Sequence, residues 1–194
     1  MERICPDKPV KLLRTHCLGH QLALICEHAA KEVDYWPRFE AALLQGWIFI
    51  HYSAVRNAAF SKLLKEIQLT DVTLLRSAVT RWLSRGQAVE AQRATLAALI
   101  RAMQAALNNL SGDKKSDLQG WIATYRTFRY FATLYFMCDV LPAVNTFCVS
   151  LQKRGLTFSR VMSAYNAVTV RLESILESQV NTLQYRTSPD FGPA

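Results

Sequence analysis

Apolar positions along this chain recur at spacings of three and four, which is the pattern of amphipathic helices rather than of strands. Leu18, Leu22, Ile25, Ala29 and Val33 make the first such stripe. Pro37 then falls where the first turn of a second helix tolerates a residue without an N–H. Phe39, Leu43, Trp47 and Ile50 form the inward face of that helix. Ser53 has the side chain to cap a third helix, whose apolar positions are Val55, Phe60, Leu63, Leu64 and Ile67. The pattern breaks over residues 71–79. A long helix is predicted over about 82–109, with Val89, Leu96, Leu99, Ile100, Met103 and Leu107 on one side. The polar run 108–116, with Ser-Gly-Asp-Lys-Lys in its middle, reads as an exposed loop. Leu118, Trp121, Ile122, Tyr125, Phe128, Ala132 and Tyr135 read as one further helix. Pro142 should kink the chain or restart a helix. Lys153-Arg154-Gly155 reads as a helix end, because basic residues complement the C-terminal dipole and glycine follows it. A last helix is predicted over 158–178 through Val161, Met162, Tyr165, Val168, Leu172 and Ile175. Residues 187–194 carry two prolines and a glycine and read as a frayed tail. Only residues 9–17 and 72–75 read as short strands. The fold class expected is therefore mostly α, a helical bundle without βαβ alternation or internal repeat.

Composition agrees with this and narrows the partners. Seven glycines and six prolines are few for the many turns of an all-β chain. The 51% hydrophobic content is too high for a disordered chain. A net charge of +8 favours polyanionic partners, nucleic acid before acidic membrane. The five cysteines, Cys5, Cys17, Cys26, Cys138 and Cys148, are odd in number and irregularly spaced, and no apolar secretory segment precedes them. They read as reduced intracellular thiols packed in helices, and the chain as not secreted. The richest apolar stretch, 41–50, is short of the ~18 uninterrupted apolar residues of a membrane span. No membrane partner and no small-molecule substrate are expected.

Three constellations carry candidate chemistry. Cys17 and His20 stand three apart on one helix turn, but no second Cys/His pair lies at finger-like spacing, so a packed thiol and a hydrogen-bonded imidazole are expected rather than zinc. In Thr80-Arg81-Trp82, Thr80 would cap the long helix. Arg81 and Trp82 offer a planar donor fork and a π face able to hold a phosphate and stack on an unpaired base. A core tryptophan beside a solvated arginine would give the same letters. Finally, Arg76, Arg81, Arg85, Arg93 and Arg101 face only Glu90 across residues 76–101, a one-sided charge suited to phosphates or to a solvated helix face. There is no nucleophilic triad, Gly-rich phosphate loop or HExxH motif.

In order, the chain carries His16-Cys17-Leu18-Gly19-His20-Gln21-Leu22-Ala23-Leu24, Tyr35-Trp36-Pro37-Arg38-Phe39, Ser53-Ala54-Val55-Arg56, Thr80-Arg81-Trp82-Leu83-Ser84 and Leu134-Tyr135-Phe136-Met137-Cys138-Asp139-Val140-Leu141-Pro142. This succession resembles hAT superfamily transposases, and especially vertebrate hAT-derived proteins of the zinc finger 862 type. The resemblance implies that residues 1–33 are a remnant of an RNase H-like core, that 34–182 are a helical insertion-like domain, and that 183–194 are a flexible tail. It also implies a nuclear protein. Such transposases hold two metal ions on three acids. The only acid near the position of the second is Asp7, in a Pro-Asp-Lys context that does not match, and the first and third are not assignable in this chain. No catalytic residue, metal ligand or cofactor is therefore expected. Arg81 and Trp82 match the pair that lies against transposon-end DNA in the family, and Cys17 and His20 match its Cys-x-x-His motif. The expectation is a domesticated, catalytically inactive protein that binds DNA through Thr80, Arg81, Trp82, Arg85 and Arg76. The alternatives are a helical module for a protein partner or self-association, or a fragment of a longer active transposase.

Overall fold

A computed structural model describes residues 18–69, 72–77, 82–153 and 155–187; for 18, 82–84 and 179–187 it describes the backbone alone. Within these residues the chain forms seven helices: α1 (Leu18–Lys31), α2 (Trp36–His51), α3 (Ala54–Glu66), α4 (Trp82–Leu107), α5 (Gly112–Tyr125), α6 (Phe128–Leu151) and α7 (Phe158–Thr187). The helical bundle expected from the sequence is thus present. Local chemistry explains most boundaries. Pro37 sits in the first turn of α2, and the Ser53 hydroxyl accepts from the Arg56 N–H at the start of α3. After α3, Gln68 adopts φ +59 while its N–H bonds the Lys65 carbonyl and the Leu69 N–H reaches back to the Leu64 carbonyl. That pair of bonds is a Schellman stop, built here on a glutamine where glycine is usual. Gly155, at φ +70, follows α6 as expected.

Several expectations need correction. Residues 72–77 form no strand; they run as coil with Leu74 anchored in the core. The strand expected over 9–17 lies outside the described residues. The loop expected over 108–116 is shorter, because α5 already starts at Gly112, where Asp113 in the first turn complements the dipole. The single helix expected through Leu118–Tyr135 is two, split at Thr127, whose hydroxyl accepts from the Tyr130 N–H and so starts α6. α6 does not restart at Pro142; it runs through it. It is also the described helix that is long and apolar enough, by length and composition, to cross a membrane, whereas the sequence pointed to 41–50 as the richest stretch. In the bundle α6 packs against α4, α7, α1 and α5, the position of a central helix.

The core lies where α2, α4, α5 and α6 meet. Phe39, Leu99, Met103, Tyr125, Tyr130 and Leu134 are fully enclosed there. It holds a satisfied polar network: Gln92 Nε2 donates to the Tyr130 hydroxyl at 2.7 Å, and the Tyr125 hydroxyl donates to the Ala42 carbonyl at 2.6 Å. The two tyrosine rings meet edge to face at 5.1 Å. α1 shares this core through Ala30, with Ala23 and Cys26 packed against it. α7 lies on α6, with Ile175 buried. Met162 and Tyr165, among the apolar positions of the last predicted helix, are exposed, and so is Val55 on α3.

Candidate nucleic-acid interface

Of the five residues expected to contact DNA, Arg76 is the one whose side chain the structure places at a surface. It lies on the coil 72–77, which Leu74 pins beside the C-terminal end of α2 and the start of α3. Its guanidinium carbon stands 5.6 Å from the Trp47 ring centre, within cation–π range. Trp47 and His51 are one helical turn apart on α2 and stack at 4.2 Å with their planes 17° apart. Tyr52, 70% exposed, meets both rings edge-on, at 5.7 Å from Trp47 and 5.2 Å from His51. A guanidinium, an indole, an imidazole and a phenol thus form one surface cluster. The sequence reading missed it because Trp47 scored as an inward position of α2. The signal was there in the spacing, since Trp47, His51 and Tyr52 all fall at the end of one helix.

Arg85 behaves differently from expectation. It is 3% exposed, its Nη2 lies 2.7 Å from Glu40 Oε1, and its guanidinium stands 5.7 Å from the Trp36 ring. It ties α4 to α2 inside the bundle and faces no surface where a phosphate could sit. Arg93, eight residues on, is rotated about 80° around the helix at 100° per residue and is exposed, with its guanidinium 5.7 Å from the Tyr135 ring. The arginines of α4 therefore do not share one surface. Thr80 and Arg81 lie outside the described residues. Trp82 opens α4, and its backbone alone is described. The coil carrying Arg76 leads into that segment. Cys17 also lies outside the described residues, while His20 is exposed in the first turn of α1.

A family model of the FAM200/GTF2IRD2 helical domain matches residues 16–181, which span all seven helices apart from the end of α7. The chain belongs to the FAM200/GTF2IRD2-like helical-domain family. That family derives from transposases, so the transposase kinship read from the motif order holds at this level. No curated protein and no solved structure matches the chain.

The described thiols of this FAM200/GTF2IRD2-like domain are free and held in helices, as expected. Burial pushes the Cys26 thiol up to about 11, with Cys148 adding to the rise, and burial also raises Cys138 and Cys148. All three should stay protonated near neutrality and behave as apolar packing groups. In the native protein at about pH 8, alkylation of Cys26, Cys138 and Cys148 is expected to be at least tenfold slower than in denaturant. Peptide mapping by mass spectrometry after a timed reaction checks this; equal rates in both states would contradict the packing.

Proposed function

We propose that this chain is a catalytically inactive, hAT transposase-derived protein that works in the nucleus by holding DNA, with a preference for hairpins and unpaired bases. The observation that carries the reading is the Arg76–Trp47–His51–Tyr52 cluster next to the segment leading to Thr80, Arg81 and Trp82. The exposed His51 and Tyr52 rings, beside a half-buried Trp47 and a cation, suit a base with its phosphate. Stacking on such a platform is worth about 1–3 kcal/mol per base and tolerates any sequence. The net charge of +8 supplies the long-range attraction. In this reading residues 1–33 descend from an RNase H-like core and 34–182 from the helical insertion. The kinship to zinc finger 862-type proteins and the absence of catalysis rest on motif order and on the unmatched context of Asp7.

An anisotropy titration with hairpin and duplex DNA tests the proposal. Arg76→Ala and Tyr52→Ala should each weaken hairpin binding about tenfold. Arg81→Ala and Trp82→Ala should do the same, and Arg76→Ala should lower the salt slope by about one. Equal affinity across wild type and all four variants would remove the site.

A second reading, self-association without DNA, has one observation in its favour. Phe158, Met162, Tyr165 and Leu176 are exposed along α7 at alternating spacings of four and three once Thr169 and Leu172 are included, the seam of a coiled coil. Sedimentation of the full chain checks it: a clean monomer at high concentration would exclude this reading.

A further inference from the structure

At the other end of α2 from the aromatic cluster, a cleft of about 620 Å³ opens between α2 and α5. Its size lies in the range of small-ligand sites, about 300–1,000 Å³. Its lining is chemically mixed in an ordered way. Arg38, in the first turn of α2, and Arg129, in the first turn of α6, both border it. First turns favour acidic residues, and neither of these two helices has one there. Cationic groups occupy both places instead. Arg129 is also held in position: its guanidinium lies 4.4 Å from the centre of the Tyr35 ring, which is buried in the cleft wall. The floor along α5 carries Trp121, half-buried against the core. Asp117 stands one turn before Trp121. From Asp117 to Thr124, the last α5 residue of the lining, is about 10 Å along the helix axis at 1.5 Å per residue.

We propose that this cleft binds a nucleotide: the 5′-phosphate on Arg38 and Arg129, the base on the Trp121 ring, and a sugar hydroxyl or exocyclic amine on Asp117. Two guanidiniums make charge-assisted bonds to phosphate oxygens. An indole face stacks on any base. A carboxylate is an acceptor for hydroxyl or amine donors and repels phosphate, so Asp117 also sets the polarity of the bound molecule. The lone acid and the two cations thereby give the cleft a direction that a plain basic patch lacks. The same nucleotide chemistry is offered by a free mononucleotide and by the 5′-terminal nucleotide of a DNA strand. The cleft is separate from the Arg76 cluster, so this inference does not depend on that one.

Calorimetric titration of the full chain with adenosine 5′-monophosphate, adenosine and inorganic phosphate is the test. The monophosphate should bind at least tenfold more tightly than either half alone. Arg38→Gln, an exposed change, should weaken it about tenfold without moving the melting temperature. Arg129→Gln should weaken it by as much, with a small fall in melting temperature from the lost contact with Tyr35, and Trp121→Leu should reduce the monophosphate to the affinity of phosphate. A 5′-phosphorylated dodecamer that binds more tightly than its 5′-hydroxyl form and than the mononucleotide identifies a strand end; otherwise the free nucleotide is the ligand, and both results support the cleft. No binding of the monophosphate and of the phosphorylated strand at millimolar concentration overturns the proposal. So does unchanged affinity in Arg38→Gln, or phosphate alone binding as tightly as the nucleotide.

Discussion

Replacing Glu40 by alanine is expected to destabilise the protein by about 2–3 kcal/mol, whereas replacing its partner Arg85 by methionine is expected to change stability by less than about 1 kcal/mol. The asymmetry follows from where the two charges sit. The guanidinium of Arg85 is enclosed between α4 and α2, 2.7 Å from the Glu40 carboxylate, while the Glu40 side chain is 29% exposed. Removing Glu40 strips its ion pair from a buried cation, and breaking a fully buried pair from one side costs about 3–5 kcal/mol. The partial exposure of Glu40 lets water recover some of that, which sets the lower figure. Arg85→Met removes the buried charge itself and keeps an unbranched apolar stem of similar length against Trp36. Glu40 is then left as a carboxylate with partial access to water, an inexpensive state. Urea unfolding of the two single variants measures both numbers. If Arg85→Met proves as damaging as Glu40→Ala, the pair is not the interior tie described here, and Arg85 has a role that its charge alone supports.

This pair also marks the limit of what the sequence shows. The helices were legible because apolar residues at spacings of three and four need only a local rule, and the caps at Ser53 and Gly155 followed from side-chain and backbone chemistry that is equally local. The split at Thr127 was not legible, because the apolar stripe continues in register from Tyr125 to Phe128 and masks a cap that only the Tyr130 N–H reveals. Burial of Arg85 was not legible either. A helix wheel gives its angle but not the presence of Glu40 and Trp36 opposite it, which come from 45 and 49 residues away. The same applies to the candidate interface. Arg76 stood out by charge, but its aromatic partners belong to α2 and meet it only because Leu74 folds the intervening coil back onto the bundle.

Two glycine-to-alanine changes are expected to move stability in opposite directions, and their contrast tests the packing of the core. Both glycines are inside helices, where alanine is intrinsically better by about 1 kcal/mol. At Gly120, on the exposed face of α5, an added Cβ meets nothing within 4 Å, so Gly120→Ala should stabilise by about 0.5–1 kcal/mol. At Gly46, on the buried face of α2, the same Cβ would lie 2.9 Å from Leu99 Cδ2, 3.1 Å from the Tyr125 hydroxyl and 3.2 Å from Gln92 Nε2. None of these atoms is free to retreat. Leu99 is fully enclosed, Tyr125 is bonded to the Ala42 carbonyl at 2.6 Å, and Gln92 is bonded to Tyr130 at 2.7 Å. Overpacking costs about 1–3 kcal/mol, and a displaced buried hydrogen bond adds about 1–3 kcal/mol. Set against the propensity gain, Gly46→Ala should destabilise by about 3 kcal/mol net. Gly46→Val should exceed that, since its branches enter the space already filled by Leu99 and the two polar groups. Thermal unfolding of the three variants gives the signs directly. Stabilisation by Gly46→Ala would mean that α2 stands further from α4 and α5 than these distances require. The Tyr125–Gln92–Tyr130 network could not then be the tightly packed centre on which the positions of the Trp47 cluster and the Arg38–Arg129 cleft, at opposite ends of α2, both depend.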